Sequence, residues 1–169
     1  MASVGRSIVV SALFTLFGGP GILLVLVPWL LTRFHIPPGQ PLALKVICGI
    51  LIAAGLVPLF ESICRFVFVG RGTLVPTVPT EHLVVSGLYR YVRNPMYVGV
   101  LAVIVGEALL FRSPGLVVEF FVALSAMELF VRFYEEPSLS KRFPDEYAIY
   151  RSHVRRWLPR LTPWNGAKT

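Results

Sequence analysis

Apolar residues fall in long runs separated by short polar links. The first run extends from about Ile8 to Leu31 and is interrupted by Gly18-Gly19-Pro20-Gly21, which predicts a kink or local unwinding. No strand precedes that cluster, so it is no nucleotide loop. A polar link from Thr32 to Pro41 carries His35 and a Pro37-Pro38-Gly39 turn. The second run, about Leu42 to Val69, is long enough to cross a bilayer with tilt. Pro58 lies late in it, and Glu61 and Arg65 share a helix face, either as a pair neutralised at the interface or as the lining of a polar cavity. Gly70, Gly72, Pro76 and Pro79 mark a loop that reaches Arg93 and includes His82.

Two shorter runs follow, about Pro95 to Phe111 and Gly115 to Phe133, with Arg112-Ser113-Pro114 between them. So short a link predicts an antiparallel helical hairpin, with Glu107 and Glu119 exposed near its tip. Asn94 is a good N-cap and Pro95 suits the first turn, so the hairpin begins there. Glu128, Arg132 and Glu136 are spaced by four and are expected on one face. Pro144-Asp145-Glu146 starts a last helix, on which Tyr147, Tyr150 and Val154 recur at helical spacing. The pattern predicts an all-α polytopic membrane protein, a single domain over 1–169. It has about four transmembrane helices and an amphipathic cytoplasmic C-terminal helix on the lipid surface.

Composition sharpens this picture. Charged residues make up 15% of the chain, against about a quarter in soluble domains, and mean hydropathy is +0.71. A net charge of +7 would suit nucleic acid, but the basic residues flank apolar runs and line no soluble face, so that partner is excluded. Four crossings put thirteen of the 16 Lys and Arg on the side of both termini. The positive-inside rule then places the termini, and the loop from Gly70 to Arg93, in the cytoplasm of an inner or plasma membrane. Cys48 and Cys64 lie about 24 Å apart on one helix, too far for a disulfide, and are expected to be packing residues.

The stretch Gly87 to Gly99 joins free helix-start N–H groups to Arg90 and Arg93 at a membrane edge, which suits an anionic or carboxylate-bearing ligand. Its residues, Gly-Leu-Tyr-Arg-Tyr-Val-Arg-Asn-Pro-Met-Tyr-Val-Gly, come with Glu135-Glu136, Leu139, Phe143, Glu146, Tyr147, Tyr150 and Arg156-Trp157-Leu158-Pro159. In that order and spacing they resemble the isoprenylcysteine carboxyl methyltransferase and phospholipid methyltransferase families of membrane enzymes, over about half the chain. The resemblance implies S-adenosylmethionine as methyl donor, and a lipophilic acceptor (carboxylate, amine or thiol) reached from the bilayer. It implies a donor site of Tyr89, Arg93, Asn94, Pro95, Tyr97, Glu135, Glu136, Tyr147, Tyr150 and Arg156. Arg93, Asn94 and Glu136 would be the catalytic members, and no metal is involved. Asn94 stands where the family often has His, so a titrating base at that position is not expected. The rival readings are a sterol-reductase-like oxidoreductase using NADPH and a non-catalytic membrane scaffold.

Overall fold

The computed structural model describes residues 19–68 and 83–166. The expected helix from Ile8 to Gly18, and Gly70, Gly72, Pro76, Pro79 and His82, lie outside them. All regular structure among the described residues is helical. Helix α1 is Gly19–Thr32, and α2 is Leu42–Phe68. After a 3-10 turn at Gly87–Arg90 come α3 (Pro95–Phe111) and α4 (Pro114–Phe130). A π turn at Val131–Glu135 carries α4 into α5 (Glu136–Arg142), and α6 is Pro144–His153.

Proline sets the starts of α3, α4 and α6, because its fixed φ and missing N–H suit a first helical position. Arg112, at φ 48°, ends α3 by donating its N–H to the Ala108 carbonyl. The expected unwinding at the Gly-Pro-Gly cluster is not seen, since Gly19–Gly21 is α-helical. The irregularity falls one turn later, as a π turn at Ile22–Leu26. Pro28 follows that turn and has no N–H for the carbonyl four residues back, so the backbone widens just before it.

α3 is the central element, packed between α2 and α4. It contributes Val100, Leu101, Val103 and Ile104 to a core completed by Leu24, Leu59 and Ala123. Close approach to α2 depends on glycine. A Cβ on Gly55 would lie 2.7 Å from the Gly99 carbonyl oxygen and 2.8 Å from Val103 Cγ2. Small residues at such crossings let helices pack by van der Waals contact where lipid supplies no hydrophobic drive.

Within α2, Leu42–Arg65 has mean hydropathy 2.4 and only 17% of its most apolar window is buried. Its length, about 36 Å, exceeds a hydrocarbon core of about 30 Å. Val46, Ile47, Ile50, Val57 and Phe60 stand uncovered on it, as lipid-facing residues do. Among the described residues it is the one helix of full crossing length by size and composition, while α1 and α3 are shorter.

Glu107 and Glu119 depart from expectation. Each is only 8% exposed, and Glu107 Oε2 and both Glu119 oxygens lack a hydrogen-bond partner. The segment after α1 also touches the hairpin tip. Gln40 Nε2 donates to the Leu110 carbonyl at 2.8 Å, and Leu31 lies against Gly115. Both cysteines are free; Cys48 is buried as expected, but Cys64 is exposed.

The Glu61–Arg65 pair forms at 2.7 Å and anchors the 3-10 turn, where Glu61 Oε1 also accepts from the Leu88 N–H. Gly87 passes over it at φ +56°, and an added Cβ would collide with Glu61 Oε1 and lie 2.8 Å from Arg65 Nε. Gly87→Ala combines left-handed strain with that collision and is expected to destabilise the chain by about 1–3 kcal/mol. Thermal unfolding in detergent checks this, and an unchanged melting temperature would refute the clamp.

Candidate functional site

Beside the start of α3 is a cavity of about 70 Å³ lined by Leu83, Val84, Tyr89, Arg93, Asn94, Val131, Glu135, Glu136, Leu139, Tyr147 and Tyr150. Local rules place each side. The 3-10 turn brings Tyr89 in. The π turn and the start of α5 present Glu135 and Glu136 together. α6 turns Tyr147, Tyr150 and then Val154 onto Leu83, Val85, Leu139, Phe143 and Trp164. The apolar face of the last helix, expected on lipid, is therefore buried against protein.

The segment after α6 straps the site closed. Arg93 N donates to the Arg155 carbonyl, Arg160 N to that of Tyr91 and Trp164 N to that of Arg90, each at 2.9 Å. Tyr150 Oη reaches the Tyr89 carbonyl at 2.7 Å. Arg90 belongs to this strap, bonded to the Trp164 carbonyl and to Asn165, so it does not join Arg93 in the site. Asn94 also differs from expectation. It gives no side-chain cap to α3; its Nδ2 donates to the Arg156 carbonyl at 3.2 Å. Binding the strap has drawn the amide away, and the first-turn N–H groups of α3 keep no side-chain acceptor.

The two adjacent glutamates have different environments. Glu136, 6% exposed, forms an ion pair with Arg93 Nη1 at 2.9 Å and accepts from Arg156 Nε and Nη2 at 2.8 and 3.0 Å. Arg156 reaches on to Glu128 at 2.6 Å, and Glu128 also takes the Trp157 indole N–H at 2.7 Å. Hydrogen bonding to Glu136 raises the Arg156 pKa further. Glu135 meets no cation among the described residues; its partner is the Tyr97 hydroxyl at 3.3 Å. Burial pushes its pKa up to about 7, helped by the charge of Glu136 and opposed by the Tyr97 bond. Burial also raises Tyr89, Tyr147 and Tyr150, which act as neutral groups at physiological pH.

Arg93 Nη1 also meets the Tyr147 hydroxyl at 3.1 Å, but Arg93 Nε is buried with no acceptor. Two guanidiniums thus face three carboxylates, and the surplus negative charge rests on Glu135.

Seven of the ten expected residues line the cavity. Pro95 is fully buried beneath it, and Tyr97 stands under Glu135 with Trp157 6.4 Å from its ring. Arg156 lies behind Glu136, on the wall of a second cavity of about 440 Å³. The expected Glu128–Arg132–Glu136 stripe does not pair internally. The π turn breaks the four-residue spacing, both carboxylates go to Arg156, and Arg132 faces the second cavity. Leu83, Val84, Val131 and Leu139 were not foreseen, since apolar lining leaves no chemical signature. Glu128 and Trp157 did carry signals, as an intramembrane carboxylate and as a member of the closing Arg-Trp-Leu-Pro.

A family model described as phospholipid methyltransferase matches residues 44–146, from α2 into the start of α6. No curated protein and no solved structure matches the chain. The matched span contains the Arg93–Tyr97 stretch, the π turn and the glutamate pair, and it favours the methyltransferase reading over the reductase and scaffold readings. With more than half its length matched, the chain belongs to the phospholipid methyltransferase family and is an integral-membrane methyltransferase acting on lipids.

Proposed function

We propose that the chain transfers methyl from S-adenosylmethionine to a lipophilic acceptor, bearing an amine, carboxylate or thiol, that arrives from the bilayer. Residues 1–69 supply two of about four spans, and 70–169 form a cytoplasmic-side donor half in an inner or plasma membrane. One observation carries this reading: in a single cavity, among the described residues, Arg93 Nε lacks an acceptor and Glu135 lacks a cation. That pair is complementary to an amino-acid zwitterion, the end of the donor that bears the reactive sulfonium.

Arg93 and the uncapped first turn of α3 suit the carboxylate. Glu135 suits the ammonium, and Tyr89, Tyr147 and Tyr150 present ring faces to the cation or adenine. Glu136 fixes Arg93, Arg156 ties Glu136 to the strap, and Asn94 holds the strap in place. When bound, the donor supplies an electrophilic methyl; the chain supplies position and exclusion of water. The cavity of about 70 Å³ is sized for the amino-acid end alone, since whole-ligand sites begin near about 300 Å³, so α6 and the strap yield when the donor binds.

The sign of the pH dependence follows. Below about 7 Glu135 is neutral and attracts no cation, so donor affinity falls as pH is lowered, by about tenfold per unit. A carboxyl raised on folding removes stability as pH rises from its ordinary value toward 7, so the ligand-free chain loses stability over the range where donor affinity grows. Titration calorimetry of the detergent-solubilised chain tests this, and Glu135→Gln is expected to bind weakly with no such slope. Folded wild-type protein that takes up no donor would overturn the assignment. Labelled donor incubated with membranes, followed by mass spectrometry of the lipid fraction, identifies the acceptor.

A further inference from the structure

Glu128 does not line the inner cavity, yet both of its oxygens are spent on the strap. Oε1 takes Arg156 Nη1 at 2.6 Å, and Oε2 takes the Trp157 indole N–H at 2.7 Å. These two strap residues lead back to Glu135 by separate routes. Arg156 gives its Nε and Nη2 to Glu136. One guanidinium therefore joins Glu128, before the π turn Val131–Glu135, to Glu136, directly after it. Trp157 lies 6.4 Å from the Tyr97 ring, and the Tyr97 hydroxyl donates to Glu135 Oε2 at 3.3 Å. The first route fixes the backbone that presents Glu135, and the second fixes its carboxyl.

π pairing is rare in helices and occurs mostly as single turns, often at functional sites. Relaxation to α-helical pairing would turn every later residue by about 100° relative to α4. The Glu128–Arg156 pair adds little stability of its own, since its side chains are 34% and 22% exposed. What it contributes is geometry. We propose that Glu128 is a positioning residue, which acts through Arg156 to hold the π turn in register and through Trp157 to hold Tyr97 on Glu135. Its effect on donor binding rests on the reading of Glu135 as the partner of the donor ammonium.

Glu135 is faced by Tyr97 from α3 and Glu136 from α5, and across the cavity by Arg93, Tyr89, Tyr147 and Tyr150. The Tyr97 hydrogen bond favours its ionised form, so loss of that bond moves the Glu135 pKa further above about 7. A carboxyl raised on folding removes stability as pH climbs from its ordinary value to the raised one. Loosening Tyr97 therefore extends that loss to higher pH, an effect that a merely structural contact would not have.

The test reads the melting temperature of the full chain in neutral detergent across pH. The proteins are wild type, Glu128→Ala, Glu135→Gln and the double variant. The part of the profile due to Glu135 is the difference between each protein and its Glu135→Gln counterpart. In Glu128→Ala this part is expected to extend upward by about one pH unit. Glu128→Gln keeps an oxygen for the indole N–H and is expected to restore most of the wild-type profile. Should the alanine variant not fold, Trp157→Phe removes only that N–H and is expected to shift the profile the same way. A Glu135-dependent profile that stays at its wild-type position in whichever of the two variants folds would overturn the proposal. Calorimetry at pH 7 is expected to show donor affinity about fivefold weaker in Glu128→Ala, matching the fall in ionised Glu135 for that shift. Failure of the wild type to bind donor would defeat the donor assignment, while the melting profiles would still decide whether Glu128 positions Glu135.

Discussion

Glu136→Ala is expected to lose about 3–5 kcal/mol of stability together with donor binding. The side chains of Glu136 and Arg93 are 8% and 10% exposed, so truncation leaves a guanidinium enclosed with the Tyr147 hydroxyl as its remaining partner. It also leaves Arg156, which holds Glu136 at two points and whose carbonyl takes the Asn94 amide, with Glu128 as its remaining acidic partner. Thermal unfolding in detergent reads the first loss and calorimetry the second. A second variant separates structure from chemistry. Replacing both partners, Glu136→Leu with Arg93→Met, removes the buried charges as a pair and is expected to recover much of the melting temperature. Donor binding is expected to stay lost, because the proposed reading offers Arg93 to the donor carboxylate. An unchanged melting temperature for Glu136→Ala would show that the network is not a structural hub. Recovery of binding in the double variant would remove Arg93 from the site.

Gly55→Val is the second large effect. A Cβ there meets a backbone oxygen of α3 at 2.7 Å, and backbone does not swing aside as a long side chain would. Relief requires α2 and α3 to separate, which strips cover from Val103 and Ile104 along the middle of the core. The expected loss is at the upper end of overpacking, about 3 kcal/mol. Since α3 begins at the candidate site, its displacement also moves Tyr97 from Glu135. Gly49 is the control. It lies on the same helix, and a Cβ added there would meet nothing within 4 Å, so Gly49→Val is expected to leave stability within about half a kcal/mol of wild type. Similar behaviour of the two variants would refute glycine-mediated packing.

Much of the scaffold was legible along the chain because its cues are local. Pro95 and Pro144 announce helix starts without reference to any partner, while Pro114, expected in the link, opens α4. Tyr147, Tyr150 and Val154 announce one buried face, although the periodicity did not say whether lipid or protein would cover it. The Glu135-Glu136 pair was legible as chemistry, but its division of labour was not. Which of two neighbouring carboxylates meets arginine depends on a π turn and on Arg156, which is 20 residues from Glu136. Asn94 failed as a cap for a similar reason, since a carbonyl 62 residues away took its amide. Glu107 and Glu119 were misplaced because nothing local shows that the packed helices enclose their carboxyls. Local rules read turns and faces; they do not read which distant group arrives to occupy them.

The strap has a consequence in time as well as in space. Arg90 is bonded to the Trp164 carbonyl, 74 residues later in the chain. Translation proceeds at about 5–20 residues per second, so several seconds separate the synthesis of Arg90 from that of its closing partner. The apolar helices therefore reach lipid while the cavity beside α3 is still open. Membrane insertion comes first and closure of the cavity last, so the chain stands among lipids before its candidate site is complete.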